Sequence, residues 1–143
     1  VPVSISYEWD PSDTEKAEEL ALKSQDSEAE FRSDSLQHLL NSLLSKKGRV
    51  HLSFGNPLGA ENTDSATDVA DHLDQFIQSE FKLYPSHLAA YKVRHDKSLS
   101  SQEAQALQHL NERAGCASTQ QVKQNLHDLY ANIAEQYLRH QPT

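Results

Sequence analysis

The sequence predicts an α/β fold in which two strands form part of a parallel sheet and a helical C-terminal region follows. Apolar residues alternate with polar ones over 3–7 and again over 50–54, which is the period of a half-buried strand. About forty residues with helical patterns separate the strands, and such crossovers are parallel and right-handed in nearly all proteins. We therefore predict an α/β part over residues 1–60 and a helical appendage over 61–143.

Two helices are predicted within the crossover. Residues 10–13 (Asp-Pro-Ser-Asp) supply a cap and a first-turn proline for a helix to about Lys23, whose narrow apolar stripe places it at the surface. Residues 24–30 are polar and predict a loop. From Ser33 to Gly48, leucines at helical spacing predict an amphipathic helix that is buried in the core, with an LxxLL-like protein ligand as the alternative. These leucines are Leu36, Leu39, Leu40, Leu43 and Leu44.

The second half of the chain is predicted to be helical throughout. Helices are expected to begin near Ser65, Pro85, Ser100 and Ser118. The helix that begins at Ser100 has a full capping box and ends at Gly115. The last two helices are predicted to form an antiparallel hairpin. Its buried residues are expected to be Leu107, Leu110, Leu126, Leu129 and Ile133.

Composition limits the classes of function. The net charge of −8 disfavours long-range attraction to nucleic acid, so no nucleic-acid partner is expected. No apolar run approaches the ~18 residues that a membrane span requires. Cys116 is the single cysteine, which excludes an intramolecular disulfide and fits a cytoplasmic protein.

Two blocks of sequence resemble a known enzyme family. They are VPVSISYE over residues 1–8 and KGRVHLSFGNPL over 47–58. Together they are similar to the last conserved block of the glycerolipid acyltransferases and to the strand and FGxP segment that follow it. This family includes the glycerol-3-phosphate and 1-acylglycerol-3-phosphate acyltransferases. The resemblance covers residues 1–58.

The resemblance implies transfer of a fatty acyl group from acyl-CoA or acyl carrier protein to a glycerol-phosphate hydroxyl. The family's general base is a His followed five residues later by Asp, and none of the eight histidines here has Asp at that spacing. The chain begins within a strand and contains no methionine. We therefore expect a C-terminal segment that is inactive alone and that has peripheral membrane contact through the missing part.

Three residues are carried over from the family as substrate-binding candidates. They are Pro2, Tyr7 and Glu8, because the family's corresponding block lies beside the acyl-acceptor and acyl-chain site. Pro2 is equally explained by structure, since proline at a strand start loses no ladder hydrogen bond. Tyr7 and Glu8 come at the C-terminal end of their strand, where parallel sheets bind ligands. No catalytic residue, metal ligand or cofactor is predicted.

The sequence gives weaker support to other hypotheses. No two histidines stand three or four residues apart, so a helical metal site is disfavoured. Cys116 with His109 or His127 could form a nucleophile and base, but no third orienting group is marked by the sequence. The competing function is a non-catalytic helical interaction module. An exposed edge of the predicted sheet would also favour a homo-oligomer.

Overall fold

The computed structural model describes residues 1–25, 35–59 and 65–139, and most of these residues are helical. Residues 26–30 of the predicted loop and the predicted helix start at Ser33 lie outside the described residues. In chain order the elements are β1 (Val3–Tyr7), α1 (Asp13–Gln25), α2 (Ser35–Leu44), β2 (Val50–Phe54), α3 (Ala66–Glu80), α4 (Pro85–Arg94), α5 (Ser101–Gly115) and α6 (Gln120–Arg139).

The two strands pair antiparallel, so the predicted parallel sheet and α/β fold class are wrong. Val3 is opposite Phe54, and Tyr7 is opposite Val50. The alternation predicted both strands, but it carries no information about their relative direction. The chain between them returns to the end of β1 at which it left, and Glu8 N–H donates to the Arg49 carbonyl there at 2.9 Å. In the described residues the sheet has these two strands.

The sheet buries Ser4 and Ser6, half-buries Ser53, and exposes its aliphatic side chains and Phe54. Ser6 Oγ accepts a hydrogen bond from the Lys82 N–H at 2.9 Å, and Ser53 Oγ donates to the Glu80 carboxylate at 2.6 Å. Ser4 Oγ lies 3.5 Å from the carbonyl of Ile77. The last turn of α3 and the residues after it therefore cover the serine face. The pattern is the reverse of the usual one, in which the apolar face is covered.

The core surrounds α6, which packs chiefly against α4 and α1 and less extensively against α5. It draws on residues from both of the predicted parts of the chain. Among the five residues predicted to be buried in the hairpin, Leu110 and Leu126 are buried and the other three are half-buried. The core comprises Trp9, Ala17, Ala21, Ala90, Ala106, Leu110, Ala114, Val122, Leu126, Tyr130 and Ala131.

Local capping signals in the second half are confirmed. Ser100 N–H donates to Glu103 Oε2 at 2.7 Å, and Glu103 N–H donates to Ser100 Oγ at 3.3 Å. Glu103 also forms an ion pair with Lys92 at 2.7 Å, which joins α5 to α4. Ser65 caps α3 by accepting the N–H of Asp68 at 3.1 Å. These contacts form where predicted because they involve neighbours in sequence.

The leucine-rich helix α2 is exposed, so the prediction that its leucines are core is wrong. A 2.8 Å hydrogen bond between the hydroxyls of Ser12 and Ser42 joins it to the residue that precedes α1. The leucines keep between 43% and 83% of their surface accessible. Within the ranges 1–25, 35–59 and 65–139, no helix combines the length and apolar character that a membrane crossing requires. The exposed leucines are Leu36, Leu39, Leu40, Leu43 and Leu44.

Candidate functional site

The predicted site residues lie at opposite ends of β1, and the two at the same end, Tyr7 and Glu8, are neighbours in sequence. Pro2 precedes β1, whereas Tyr7 and Glu8 lie at its other end. A strand advances about 3.3 Å per residue, so about 17 Å of backbone separates Pro2 from Tyr7. A small acceptor could contact one end of β1, but it would not span both.

Pro2 is buried against the turn that follows β2. Its carbonyl accepts the Gly55 N–H at 3.0 Å. A Cβ atom on Gly55 would stand 2.8 Å from Pro2 Cγ and 2.7 Å from Phe76 Cε2. The FGxP segment therefore packs directly on the start of β1, and a larger residue at Gly55 would require Phe76 or Pro2 to shift.

Glu8 is held as a carboxylate by Arg49. It accepts hydrogen bonds from Arg49 Nη2 at 2.9 Å, from Nε at 3.2 Å and from the backbone N–H at 2.9 Å. Hydrogen bonding to Arg49 lowers the pKa of Glu8, against the opposing effect of burial. The Arg49 guanidinium in turn lies 5.1 Å from the ring centroid of Tyr84. A carboxylate with this partner does not act as a general acid near neutral pH.

A buried polar network that the sequence analysis missed lies close to Glu8 along the chain. Asp13 accepts hydrogen bonds from Arg113 and, at 2.6 Å, from the hydroxyl of Tyr130. The Tyr130 oxygen accepts the N–H of Asp10 at 3.0 Å. Burial raises the pKa of Tyr130 far above its usual value, so its hydroxyl stays protonated. Partners about 100 residues apart leave no spacing pattern in a sequence, and no local signal marks this network.

Aromatic side chains enclose the network. The ring of Trp9 lies 4.7 Å from that of His109 and 5.8 Å from that of Tyr130. His87 stacks on Tyr130 at 5.6 Å, and its Nδ1 accepts the N–H of Tyr84 at 3.1 Å. Burial lowers the pKa of His87 to about 4, so the imidazole is neutral at neutral pH.

The network is suited to stabilising the fold rather than to catalysis. Every buried side-chain nitrogen and oxygen in the described residues has a hydrogen-bond partner. Cys116 is exposed, and its sulfur lies 3.9 Å from the Glu112 carbonyl, with no hydrogen bond to a described histidine. Across the described part of the chain no three His, Cys, Asp or Glu residues are grouped to hold a metal ion.

The sheet has a second face, on the side away from the serines. This face is apolar and exposed, and we call it the outer sheet face. Its five aliphatic and aromatic side chains keep between 40% and 67% of their surface accessible. Contiguous apolar patches on a protein surface mark sites of interaction. The outer sheet face consists of Val3, Ile5, Val50, Leu52 and Phe54.

Comparison of the chain with protein-family models, with curated proteins and with solved structures gave no match. The geometry alone leaves two candidate surfaces, which are the outer sheet face and the end of β1 at Tyr7 and Glu8. Both lie within residues 1–58.

Proposed function

We propose that the chain is a C-terminal part of a glycerolipid acyltransferase, which transfers a fatty acyl group from a thioester carrier to a glycerol-phosphate hydroxyl. The observation that supports this most is the pairing of the two blocks that resemble the family. Residues 3–7 and 50–54 lie side by side in one sheet, although about forty residues separate them. Such a pairing is expected if both blocks come from one conserved part of a domain.

The outer sheet face is the surface through which this part would join the catalytic part of the enzyme. A sheet with an uncovered apolar face is completed by a second layer of structure. The catalytic part would supply that layer, either on a longer form of this chain or on a separate chain. Each strand also has one edge without a neighbouring strand in the described residues, which supports the proposal of a homo-oligomer.

In this proposal Tyr7 and Glu8 contribute to the wall of the acceptor site. The salt bridge with Arg49 fixes the position of Glu8, and Tyr7 pairs with Val50 beside it. Pro2 is buried at the other end of the strand, so it would contribute by holding β1 against the turn that follows β2. None of these residues supplies a base, and the family's His and Asp would have to come from the catalytic part.

The test is an acyl-transfer assay with acyl-CoA or acyl carrier protein as donor and glycerol 3-phosphate or its 1-acyl derivative as acceptor. We expect no product from this chain alone, and transfer from the product of the whole gene that encodes it. In the active protein, Tyr7→Ala should raise the apparent KM for the acceptor more than it lowers kcat. Leu20→Ala on α1, which truncates an exposed side chain away from the sheet, is the control and should leave both constants unchanged.

Two results would contradict the proposal. Turnover by the isolated chain would place the general base within it. A whole gene product that transfers no acyl group to any glycerol-phosphate would favour the competing function, a non-catalytic interaction module.

One observation supports that second function. The five leucines of α2 are exposed and form two overlapping LxxLL patterns, LQHLL and LNSLL. Exposed leucines at this spacing are typical of helices that bind in a partner's groove. The α5 and α6 helices are poorer candidates, because Leu110, Val122 and Leu126 are buried. Leu39→Ser with Leu43→Ser should leave acyl transfer unchanged if α2 serves only to bind a partner.

A further inference from the structure

A cavity of about 410 Å³ lies among α4, α5 and α6. Its volume is within the range of about 300–1,000 Å³ that is common for small-molecule sites. The short side chains of Ala90, Ala114 and Ala131, all buried, contribute to its lining. None of the sheet residues lines the cavity, so it is separate from the surfaces that the acyltransferase proposal uses.

Lys123 is a cation on the cavity wall, and the carboxylate of the lining, Asp128, pairs with Arg94 rather than with Lys123. Its ammonium forms no hydrogen bond or ion pair with any residue in the described ranges, and the side chain is half-buried. The other cation of the lining, Arg94, is neutralised by Asp128 at 2.6 Å and by Glu135 at 3.1 Å. Glu135 is also paired with Arg139. One positive charge therefore remains, although the chain as a whole carries −8.

Neutral hydrogen-bonding groups accompany Lys123 on the lining. Asn111 and Gln120 are exposed, and their amides form no side-chain hydrogen bond within the described part. His127 is half-buried, and burial lowers its pKa against an opposing effect of Asp128. The imidazole is therefore neutral at neutral pH and can donate one hydrogen bond. A cation beside neutral donors favours an anion, because charge-assisted hydrogen bonds are the stronger ones.

We propose that this cavity binds a small anionic ligand, a carboxylate or a phosphate monoester, with Lys123 as the charged contact and His127 and Gln120 as neutral donors. The buried alanines leave room for a short aliphatic or glycerol-sized body behind the anionic group. Ligand binding in this cavity does not require the chain to belong to an acyltransferase, and it is measured without an acyl-transfer assay.

The test is a titration of the whole chain followed by amide chemical shifts in NMR spectra at constant ionic strength. Inorganic phosphate and acetate are used as probes in separate arms. We expect saturable shifts at residues that line the cavity, with Lys123 and His127 among them. Lys123→Gln should raise Kd at least about tenfold, because it removes a charge-assisted hydrogen bond. The matched control is Lys46→Gln, which removes the same charge from an exposed lysine outside the cavity.

The outcomes separate the alternatives. Saturation by phosphate alone supports a phosphate site, saturation by acetate alone supports a carboxylate site, and saturation by both supports a site for either anion. Shifts that do not saturate, or that are spread over the surface, would overturn the proposal. Equal affinities for wild type and Lys123→Gln would also overturn it, as would an equal loss in both lysine variants. The spectra of each variant report whether the fold is retained.

Discussion

The guanidinium of Arg113 forms a bidentate ion pair with the carboxylate of Asp13, at 2.6 Å to Oδ1 and 3.1 Å from Nε to Oδ2. The pair joins the last turn of α5 to the first turn of α1. The side chain of Asp13 is 2% exposed, and it also accepts the hydroxyl of Tyr130 on α6. Three helices therefore meet at one buried carboxylate.

Asp13→Asn should lower the free energy of unfolding by about 3–5 kcal/mol, because it leaves the half-buried Arg113 without its counter-charge. Urea denaturation followed by circular dichroism measures the change. Glu19→Gln, which breaks an exposed pair with Lys23 on the same helix, should change it by less than about 1 kcal/mol. Similar losses of unfolding free energy in the two variants would show that the Asp13–Arg113 pair stabilises the fold no more than an exposed ion pair does.

Ser6→Ala should cost more stability than Ile5→Thr, although the reverse is usual for a serine and an isoleucine in a strand. The Ser6 hydroxyl accepts the N–H of Lys82, and its removal leaves that donor unpaired at a cost of about 1–3 kcal/mol. Ile5 is 45% exposed, and threonine keeps its branched Cβ, so about 0.5 kcal/mol or less is expected. Unfolding curves in which Ile5→Thr is the more damaging change would contradict the observed orientation of the sheet.

Gly48→Ala should destabilise the protein by about 1–3 kcal/mol. Its φ is +63°, and a Cβ there would lie 2.6 Å from Trp9 Cδ1 and 2.7 Å from Glu8 Oε2. Gly115→Ala is the matched control, because a Cβ at this helical position meets no atom within 4 Å. The control should leave the melting temperature unchanged or raise it. Equal melting temperatures for the two variants would argue against close packing at Gly48.

Stability should fall as the pH decreases from about 6.5 to about 4, and His87 should account for part of the loss. Burial lowers its pKa from 6.5 to about 4 in the folded state, so the unfolded chain takes up a proton first. The full effect is about 3 kcal/mol, present above the unfolded pKa and lost below the folded one. Burial shifts the pKa of His127 in the same direction, and that residue adds to the slope.

The check is the pH dependence of the unfolding free energy in His87→Asn, where asparagine does not titrate. We expect a shallower slope between about pH 6.5 and 4.5 than in the wild type. An unaltered slope in His87→Asn would mean that this imidazole is hydrated in the folded protein.

Of the candidate site, the sequence could indicate single residues but not their grouping. Tyr7 and Glu8 were predicted at the end of a strand, and they lie there. The contact of Glu8 with Arg49 follows from the direction of β2, which the alternation does not contain. Lys123 carries no sequence signal either, since whether an acidic residue pairs with it depends on which ones Arg94 and Arg139 bind.

The sequence by itself determined where most helices and both strands lie, because periodicity and caps act between residues a few positions apart. Ser100 with Glu103 is such a case. Tertiary structure decided the antiparallel direction of β2, the burial of the serine face and the exposure of the α2 leucines. Each of these depends on which distant group satisfies a hydrogen bond or covers an apolar surface, as Lys82 does for Ser6 and Asp13 for Arg113. Partners so far apart in sequence are selected only when the packed helices bring them within contact distance.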